Sequence, residues 1–178
     1  MTIDALRRLG RAESSEVWDR FDAAFSFRPS IVDFPGIREP APSVTWNLAS
    51  VQTRPGGGER PAFVEVVEDA LAACTPPGQC LFILDWQHTS YALRPDLPPT
   101  DMFLPHALEG RARPGWPRSP YPHGDYCIFL SEDFTFGSFG HPWEPSLCLF
   151  GEALLDAVSP RLEPLLPDVL RRNGKTVK

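Results

Sequence analysis

The stretch that decides the fold is YCIFLSEDFTFGSFGHPWEPSLCLF, residues 126–150. Three apolar runs within it, 126–130, 134–139 and 146–150, have the length of strands and are separated by short polar turns. The first turn, Ser131-Glu132-Asp133, carries the acidic residues that hairpin connections favour. Because strands joined this briefly must run in opposite directions, the stretch predicts an antiparallel meander.

Apolar runs upstream of the meander predict further strands. Residues 80–91 are typical of a buried strand that turns back as a hairpin around His88-Thr89-Ser90, and residues 27–32 and 43–48 look extended. Together with the meander they predict a central antiparallel sheet of about five to six strands.

Helical periodicity marks the regions that flank this sheet. Apolar residues recur on one face over 15–25 and again over 61–74, and a further helix is expected to open at Gly151. A last helix is predicted over 160–172, with Asn173-Gly174 as its stop and 173–178 as a frayed tail. Helices at both chain ends around a central sheet place the chain in the α+β class. The length predicts a single domain over 1–178, globular over 14–172.

Composition narrows the classes of partner. The chain has 178 residues, a net charge of −6 and 21 prolines. A negatively charged protein is repelled by nucleic acid and by anionic membranes, so neither is expected as a partner. Because no secretory leader or membrane-spanning run is recognisable, we expect a cytoplasmic protein. The four cysteines lack metal-ligand spacing, and neither a metal nor a cofactor is predicted.

A long segment, 94–122, carries eight prolines and four arginines. Loops of this length are functional or disordered, and the prolines favour a rigid cover over part of the sheet. The arginines suggest an anionic ligand beneath it.

Three polar islands interrupt the apolar half of the chain: 85–88, 123–126 and 140–144. Histidine and carboxylate side chains on rigid turns suit general acid–base chemistry. Strand parity places Asp85 and Gln87 on one face and Trp86 and His88 on the other, so Asp85 and Gln87 are predicted to be scaffold. The predicted catalytic residues are His88, Asp125, His141 and Glu144.

Aromatic and basic side chains would form the walls of such a site. The predicted ligand-binding residues are Trp86, Trp116, Tyr126, Trp143, Arg94 and Arg118. Each island also has a purely structural interpretation. Asp125 is equally typical of an Asx turn, and Glu144 could pair with an arginine of 94–122.

The order of these motifs resembles one protein family. Its pattern is the series Trp18…Phe21…Phe25-x-Phe27-x-Pro29-Ser30, Asp85-Trp86-Gln87-His88, Pro122-x-Gly124-Asp125-Tyr126, Gly140-His141-Pro142-Trp143-Glu144 and Cys148-x-Phe150-Gly151. It is similar to the bacterial domain of unknown function 2716 over about 18–170. His123 stands where that pattern favours aspartate. The resemblance implies a shared fold and no particular reaction.

Two functions are therefore compatible with the sequence. The first is a small-molecule enzyme or binding domain whose pocket lies between the sheet and the 94–122 segment. The second is a non-catalytic interaction protein, such as an antitoxin or immunity-type partner, that meets a basic target through exposed acidic residues. These acidic residues are Glu132, Asp133, Glu152, Asp156, Glu163 and Asp168.

Overall fold

The predicted meander forms the middle of one antiparallel sheet. The computed structural model of the chain describes residues 4–51, 60–99 and 113–178. Its strands are β1 (Leu6–Arg8), β2 (Ser43–Asn47), β3 (Leu81–Asp85), β4 (Tyr91–Leu93), β5 (Cys127–Ser131), β6 (Gly137–His141), β7 (Ser146–Phe150), β8 (Val169–Arg172) and β9 (Lys175–Thr176). Its helices are α1 (Arg11–Phe25), α2 (Ala62–Cys74) and α3 (Glu152–Leu162).

Within the described ranges the sheet has nine strands in the order β1-β4-β3-β5-β6-β7-β2-β8-β9. Every neighbouring pair is antiparallel. The α+β class is therefore confirmed, whereas the predicted count of five to six strands was too low. The additional strands are short ones at the two edges, β1, β8 and β9, which carry too few residues for a periodic pattern.

The structure differs most from the sequence prediction in the C-terminal segment. Residues 160–172 do not form a separate helix: 160–162 are the end of α3, and the chain then returns to the sheet as the β8–β9 hairpin. Pro164 and Pro167 each lack the N–H that a continuing helix requires. Asn173 and Gly174 both have positive φ, 52° and 72°, as a two-residue hairpin turn demands, so the predicted helix stop is a strand turn.

Helices were predicted at both ends of the chain, but strands are found at both ends. β1 precedes α1 and pairs with β4, and β9, which lies in the segment predicted to be a frayed tail, pairs with β8. Residues 27–32 are not a strand but part of the loop between α1 and β2.

Both faces of the central strands are buried, which explains their continuous apolar sequence. Alternate residues Leu81, Ile83 and Phe129 face α2 and α3, while Phe82 and Leu84 face α1. On the α1 side, Phe21 and Phe25 pack against one another, and Phe25 also packs against Phe150 of β7. The sheet thus separates two cores, and the polar islands lie where its strands end.

The described parts of the 94–122 segment cover the α2 side of the sheet directly. Trp116 is 5% exposed and lies 5.6 Å from the Phe129 ring, and the Cys127 thiol donates to the Ser119 carbonyl at 2.7 Å. The remainder, 100–112, lies outside the described residues, as does Arg111. A pocket between this segment and the sheet stays a prediction.

Candidate functional site

The three polar islands separate into distinct side-chain groups at the ends of β3, β5 and β6. One group collects carboxylates around His88, a second surrounds His141 with aromatic rings, and a third pairs Glu144 with an arginine. The four predicted catalytic residues are thus distributed over three neighbouring networks.

The first group, here called the carboxylate–imidazole cluster, consists of Asp85, His88, Arg118 and Asp125. His88 Nδ1 lies 3.2 Å from Asp85 Oδ1 and 3.4 Å from Asp125 Oδ2. Arg118 Nη2 donates to the same Asp85 oxygen at 2.5 Å. Asp85, which sequence parity assigned to the scaffold, is therefore at the centre of this cluster.

The prediction from strand alternation was wrong here because β3 ends at Asp85. Residues 86–88 form a turn in which Gln87 has a positive φ of 65°, so side chains no longer alternate across a sheet. The turn brings His88 back beside Asp85, three residues earlier.

Burial differs across the cluster. The Asp85 side chain is 4% exposed and that of Asp125 15%, whereas that of His88 is 47% exposed. Desolvation raises the pKa of Asp125, with a partly compensating hydrogen bond from the Tyr126 N–H at 2.7 Å. Asp125 therefore accepts the N–H of the next residue, a local backbone contact one position shorter than that of an Asx turn, and also faces the imidazole.

The second group, here called the aromatic–imidazole cluster, is centred on Tyr126 and His141 on the α1 side of the sheet. Their ring centroids are 4.9 Å apart. Trp86 and Trp143 pack edge-on to the Tyr126 ring at 5.6 and 5.3 Å, and Phe34 packs edge-on to His141 at 5.0 Å. The predicted walls Trp86, Tyr126 and Trp143 thus lie together.

Hydrogen bonds fix the state of His141, which is fully buried. Its Nδ1 accepts the Glu144 backbone N–H at 3.1 Å, so the neutral ring carries its proton on Nε2, 3.5 Å from the Tyr126 hydroxyl. Burial lowers the pKa of His141 to about 4, while Glu144 raises it and Arg171 lowers it further. The ring is accordingly neutral near pH 7.

Tyr126 connects this cluster to the loop between α1 and β2. Its hydroxyl accepts the Ser30 N–H at 2.8 Å and donates to the Ser30 carbonyl at 3.0 Å. Gly36 lies directly over His141: a Cβ there would come within 3.2 Å of His141 Cδ2, and its φ of +83° favours glycine. The Arg28 N–H donates to the Gly36 carbonyl and closes the loop at its base. We call residues 28–36 the pinned loop.

The third group is an ion-pair network around Arg171 of β8. Arg171 makes two hydrogen bonds to the Glu144 carboxylate, at 2.5 and 2.7 Å, and a third to Glu39 at 2.9 Å. Ser146 also donates to Glu144 at 2.6 Å. Among the described residues, the arginine partner of Glu144 thus comes from the C-terminal hairpin and not from the described parts of 94–122.

The remaining predicted ligand-binding residues lie elsewhere. Trp116 is in the core on the α2 side, and Arg94 follows β4, where it forms a bidentate pair with Asp96. Arg118 belongs to the carboxylate–imidazole cluster through Asp85.

Sequence reasoning did not identify Ser30, Gly36, Glu39 or Arg171 as parts of these networks. Ser30 and Gly36 lie in the Pro-containing stretch 29–36, whose turn residues could have indicated a structured loop. No local signal connects Arg171 with Glu39, since 132 positions separate them.

The surface beside the aromatic–imidazole cluster is unusually apolar. Ile31, Val32 and Phe34 of the pinned loop are 64%, 73% and 44% exposed, and Trp143 is 40% exposed. We call these four residues the apolar patch. The inner side of the same loop encloses an open groove of about 520 Å³, whose lining includes Arg28 and Arg38.

These features define an α+β protein with a covered antiparallel sheet and a loop fixed at one end of it. The family model described as "Protein of unknown function (DUF2716)" matches residues 8–155, and the chain belongs to this family. It is also 25% identical over 158 residues to "Uncharacterized protein YxiI" of Bacillus subtilis (strain 168), covering 85% of this chain and 91% of that protein. The search of solved structures gave no significant match.

Residues from separate motifs of the family lie together in the folded chain. Phe27, Ser30, Trp86, Tyr126 and His141 come from four separate strings and meet in the aromatic–imidazole cluster. Among the described residues, none of the helices has the length and apolarity needed to cross a bilayer.

Proposed function

We propose that the protein is a non-catalytic interaction protein that presents the pinned loop to a protein partner. The observation that carries this proposal is the exposure of Ile31 and Val32, 64% and 73%, on a loop held by buried contacts. Exposed apolar side chains clustered on one surface are typical of interaction sites. A loop that is already fixed loses little further conformational entropy on binding.

The apolar patch extends beyond the loop itself. Phe34 and Trp143 both pack against the buried His141 ring, at 5.0 and 6.1 Å, so the loop and the turn after β6 form one surface. Aromatic residues are enriched among the residues that dominate binding energy at interfaces.

The hydrogen bonding of two of the four predicted catalytic residues, His141 and Glu144, also supports a binding role. His141 Nδ1 and the Glu144 carboxylate are engaged within the protein, and Tyr126 is bonded to the pinned loop. These groups position a loop and a turn, which is what an interaction protein requires of them.

The charge of the molecule favours a basic partner. Glu152 and Asp156 are exposed, four residues apart on α3, on the face of the sheet opposite the pinned loop. Within the described ranges neither has an ion-pair partner within 4 Å, so they would act through the long-range field of the molecule. Together with the net charge of −6, they would accelerate association with a positively charged surface.

A site-specific crosslink tests the proposal. A photoreactive residue at position 32 is expected to crosslink a Lys- and Arg-rich protein in cells of the source organism. In purified form that partner should bind the wild type with an affinity that falls as salt concentration rises. The double variant Ile31→Ser/Val32→Ser should bind at least 10-fold more weakly, with an unchanged melting temperature.

The chain supplies a matched control. Leu165 and Val177 are 42% and 43% exposed outside the apolar patch, so Leu165→Ser/Val177→Ser changes surface hydropathy by a similar amount. This control should bind normally. Equal binding by all three proteins, or equal loss in both variants, would refute the proposed role of the loop.

A small anionic ligand is the second candidate, favoured by the groove that Arg28 and Arg38 line. Its 520 Å³ lies within the range of about 300–1,000 Å³ usual for small-molecule sites. Phosphate, citrate or benzoate should then raise the melting temperature of the wild type but not of Arg28→Gln/Arg38→Gln. Arg8→Gln/Arg11→Gln, two exposed arginines outside the groove, is the control. Absence of a shift with all three anions would argue against this class of ligand.

A further inference from the structure

Three potential metal ligands converge in the carboxylate–imidazole cluster. One donor atom each from Asp85, His88 and Asp125 lies within 4.8 Å of the other two. No local sequence spacing indicates this set, since Asp125 is separated from His88 by the whole 94–122 segment.

The distances fit a small coordination sphere. His88 Nδ1 is 3.2 Å from Asp85 Oδ1 and 3.4 Å from Asp125 Oδ2. In a tetrahedral zinc site with bonds of about 2.0–2.2 Å, neighbouring donor atoms are about 3.3–3.6 Å apart. Charge-assisted hydrogen bonds between nitrogen and carboxylate oxygen are usually shorter, about 2.7–2.9 Å.

The cluster also contains more acceptors than its protons can satisfy. His88 Nδ1 carries at most one proton, yet three oxygens surround it: those of Asp85 and Asp125 and the Trp86 carbonyl at 3.0 Å. Two largely buried carboxylates face one guanidinium, that of Arg118, so with a neutral imidazole the cluster carries one uncompensated negative charge. A cation placed between the three donors would bind the unsatisfied lone pairs and offset that charge.

Arg118 is compatible with this arrangement. It donates to Asp85 Oδ1, and a carboxylate oxygen can accept a hydrogen bond while it also binds a metal. Such hydrogen bonds to ligating carboxylates are usual around metal sites, where they orient the ligand.

We propose that Asp85, His88 and Asp125 bind a divalent transition-metal ion, for which Zn²⁺ is the best match. One imidazole and two carboxylates form a donor set that suits Zn²⁺. Because the His88 side chain is 47% exposed, water can reach the site and complete the coordination. The site holds the turn after β3 to the start of β5.

This proposal is independent of the proposed interaction. The cluster includes Asp85 on the α2 side of the sheet, whereas the pinned loop lies over His141 on the α1 side. Substitution of Ile31 and Val32 should therefore leave metal binding unchanged, and the two proposals can fail separately.

The test is calorimetric titration of the untagged, EDTA-treated full chain with ZnCl2. A background with Cys74→Ser and Cys80→Ser removes the two partly exposed thiols, which could also bind zinc. We expect one Zn²⁺ per chain, a higher melting temperature in its presence, and with Co²⁺ the intense visible absorption of a tetrahedral site.

Two variants that each replace one proposed ligand, and one neighbouring control, decide the outcome. His88→Asn and Asp125→Asn should each weaken Zn²⁺ binding at least 10-fold, while circular dichroism verifies that they are folded. His123→Asn, which removes an exposed imidazole two residues from Asp125, should bind like the wild type. Absence of Zn²⁺ binding by the wild type, or loss in His123→Asn alone, would overturn the proposal.

Discussion

His141 illustrates how burial determines what a histidine can do. Its ring is fully buried beneath Gly36, accepts a backbone N–H at Nδ1 and has a pKa lowered to about 4. A neutral imidazole of fixed tautomer acts here as a hydrogen-bonding spacer between the pinned loop and the turn after β6. The residue that sequence analysis ranked as an acid–base group thus has a clear structural role.

This lowered pKa predicts a specific pH dependence of stability. In the unfolded chain the imidazole at position 141 is protonated below about pH 6.5, whereas in the folded chain it is protonated only below about pH 4. Because the unfolded chain binds this proton more readily, the free energy of unfolding falls as the pH falls from about 6.5 to 4. Between pH 7 and 4.5 the wild type should lose about 2–3 kcal/mol through this group. His141→Gln, which cannot titrate, should lack that part of the loss.

Urea denaturation at a series of pH values measures the effect. His123→Gln removes an exposed imidazole and should follow the wild-type pH profile. Parallel profiles for the wild type and His141→Gln would show that the imidazole at 141 does not sense pH in this range.

At the scale of elements, the pinned loop depends on one hydroxyl. Tyr126, immediately before β5, bonds through its hydroxyl to both the N–H and the carbonyl of Ser30, 96 positions earlier in the chain. A loop fixed only by packing would retain many conformations, whereas two backbone hydrogen bonds select one of them.

Removal of that hydroxyl should release the loop without unfolding the sheet. Tyr126→Phe is expected to cost about 1–3 kcal/mol and to accelerate amide hydrogen exchange at residues 30–33. Tyr121→Phe, at a half-buried ring on the other side of the sheet, is the control. Unchanged exchange in Tyr126→Phe would mean that packing alone holds the loop.

At the scale of the whole molecule, the last dozen residues complete the sheet. β8 pairs with β2, which would otherwise be an edge strand, and Arg171 brings a positive charge to Glu39 and Glu144. Unpaired edge strands promote association, and a buried carboxylate without its partner is strongly destabilising.

Deletion of residues 167–178 should therefore lower the melting temperature and cause aggregation. Arg171→Met in the full chain separates the two causes: it should cost about 3–5 kcal/mol in urea denaturation while the protein remains monomeric. A chain that ends after Thr176 retains β9 and is the control. If the long deletion were as stable and as monomeric as this control, the hairpin would not be an integral part of the fold.

Part of the fold could be predicted because local patterns encode it. The meander was predicted from its apolar runs, and β7 was predicted at its observed bounds, because each strand is long enough for its period to be visible. The β8–β9 hairpin was missed because Pro160 and Asn173-Gly174 are also typical of helix ends, and only pairing with β2 decides between the two structures.

The candidate site, like the fold, could be predicted only in part from the sequence. The sequence by itself determined which residues are polar inside an apolar half, and hence that His88, Asp125, His141 and Glu144 needed partners. Only the tertiary structure decided which partners they have. Asp85 joins His88 through a turn, and Arg171 reaches Glu144 from the far end of the chain. Side-chain periodicity is a local property of regular backbone, whereas contacts between elements depend on how the whole sheet is ordered.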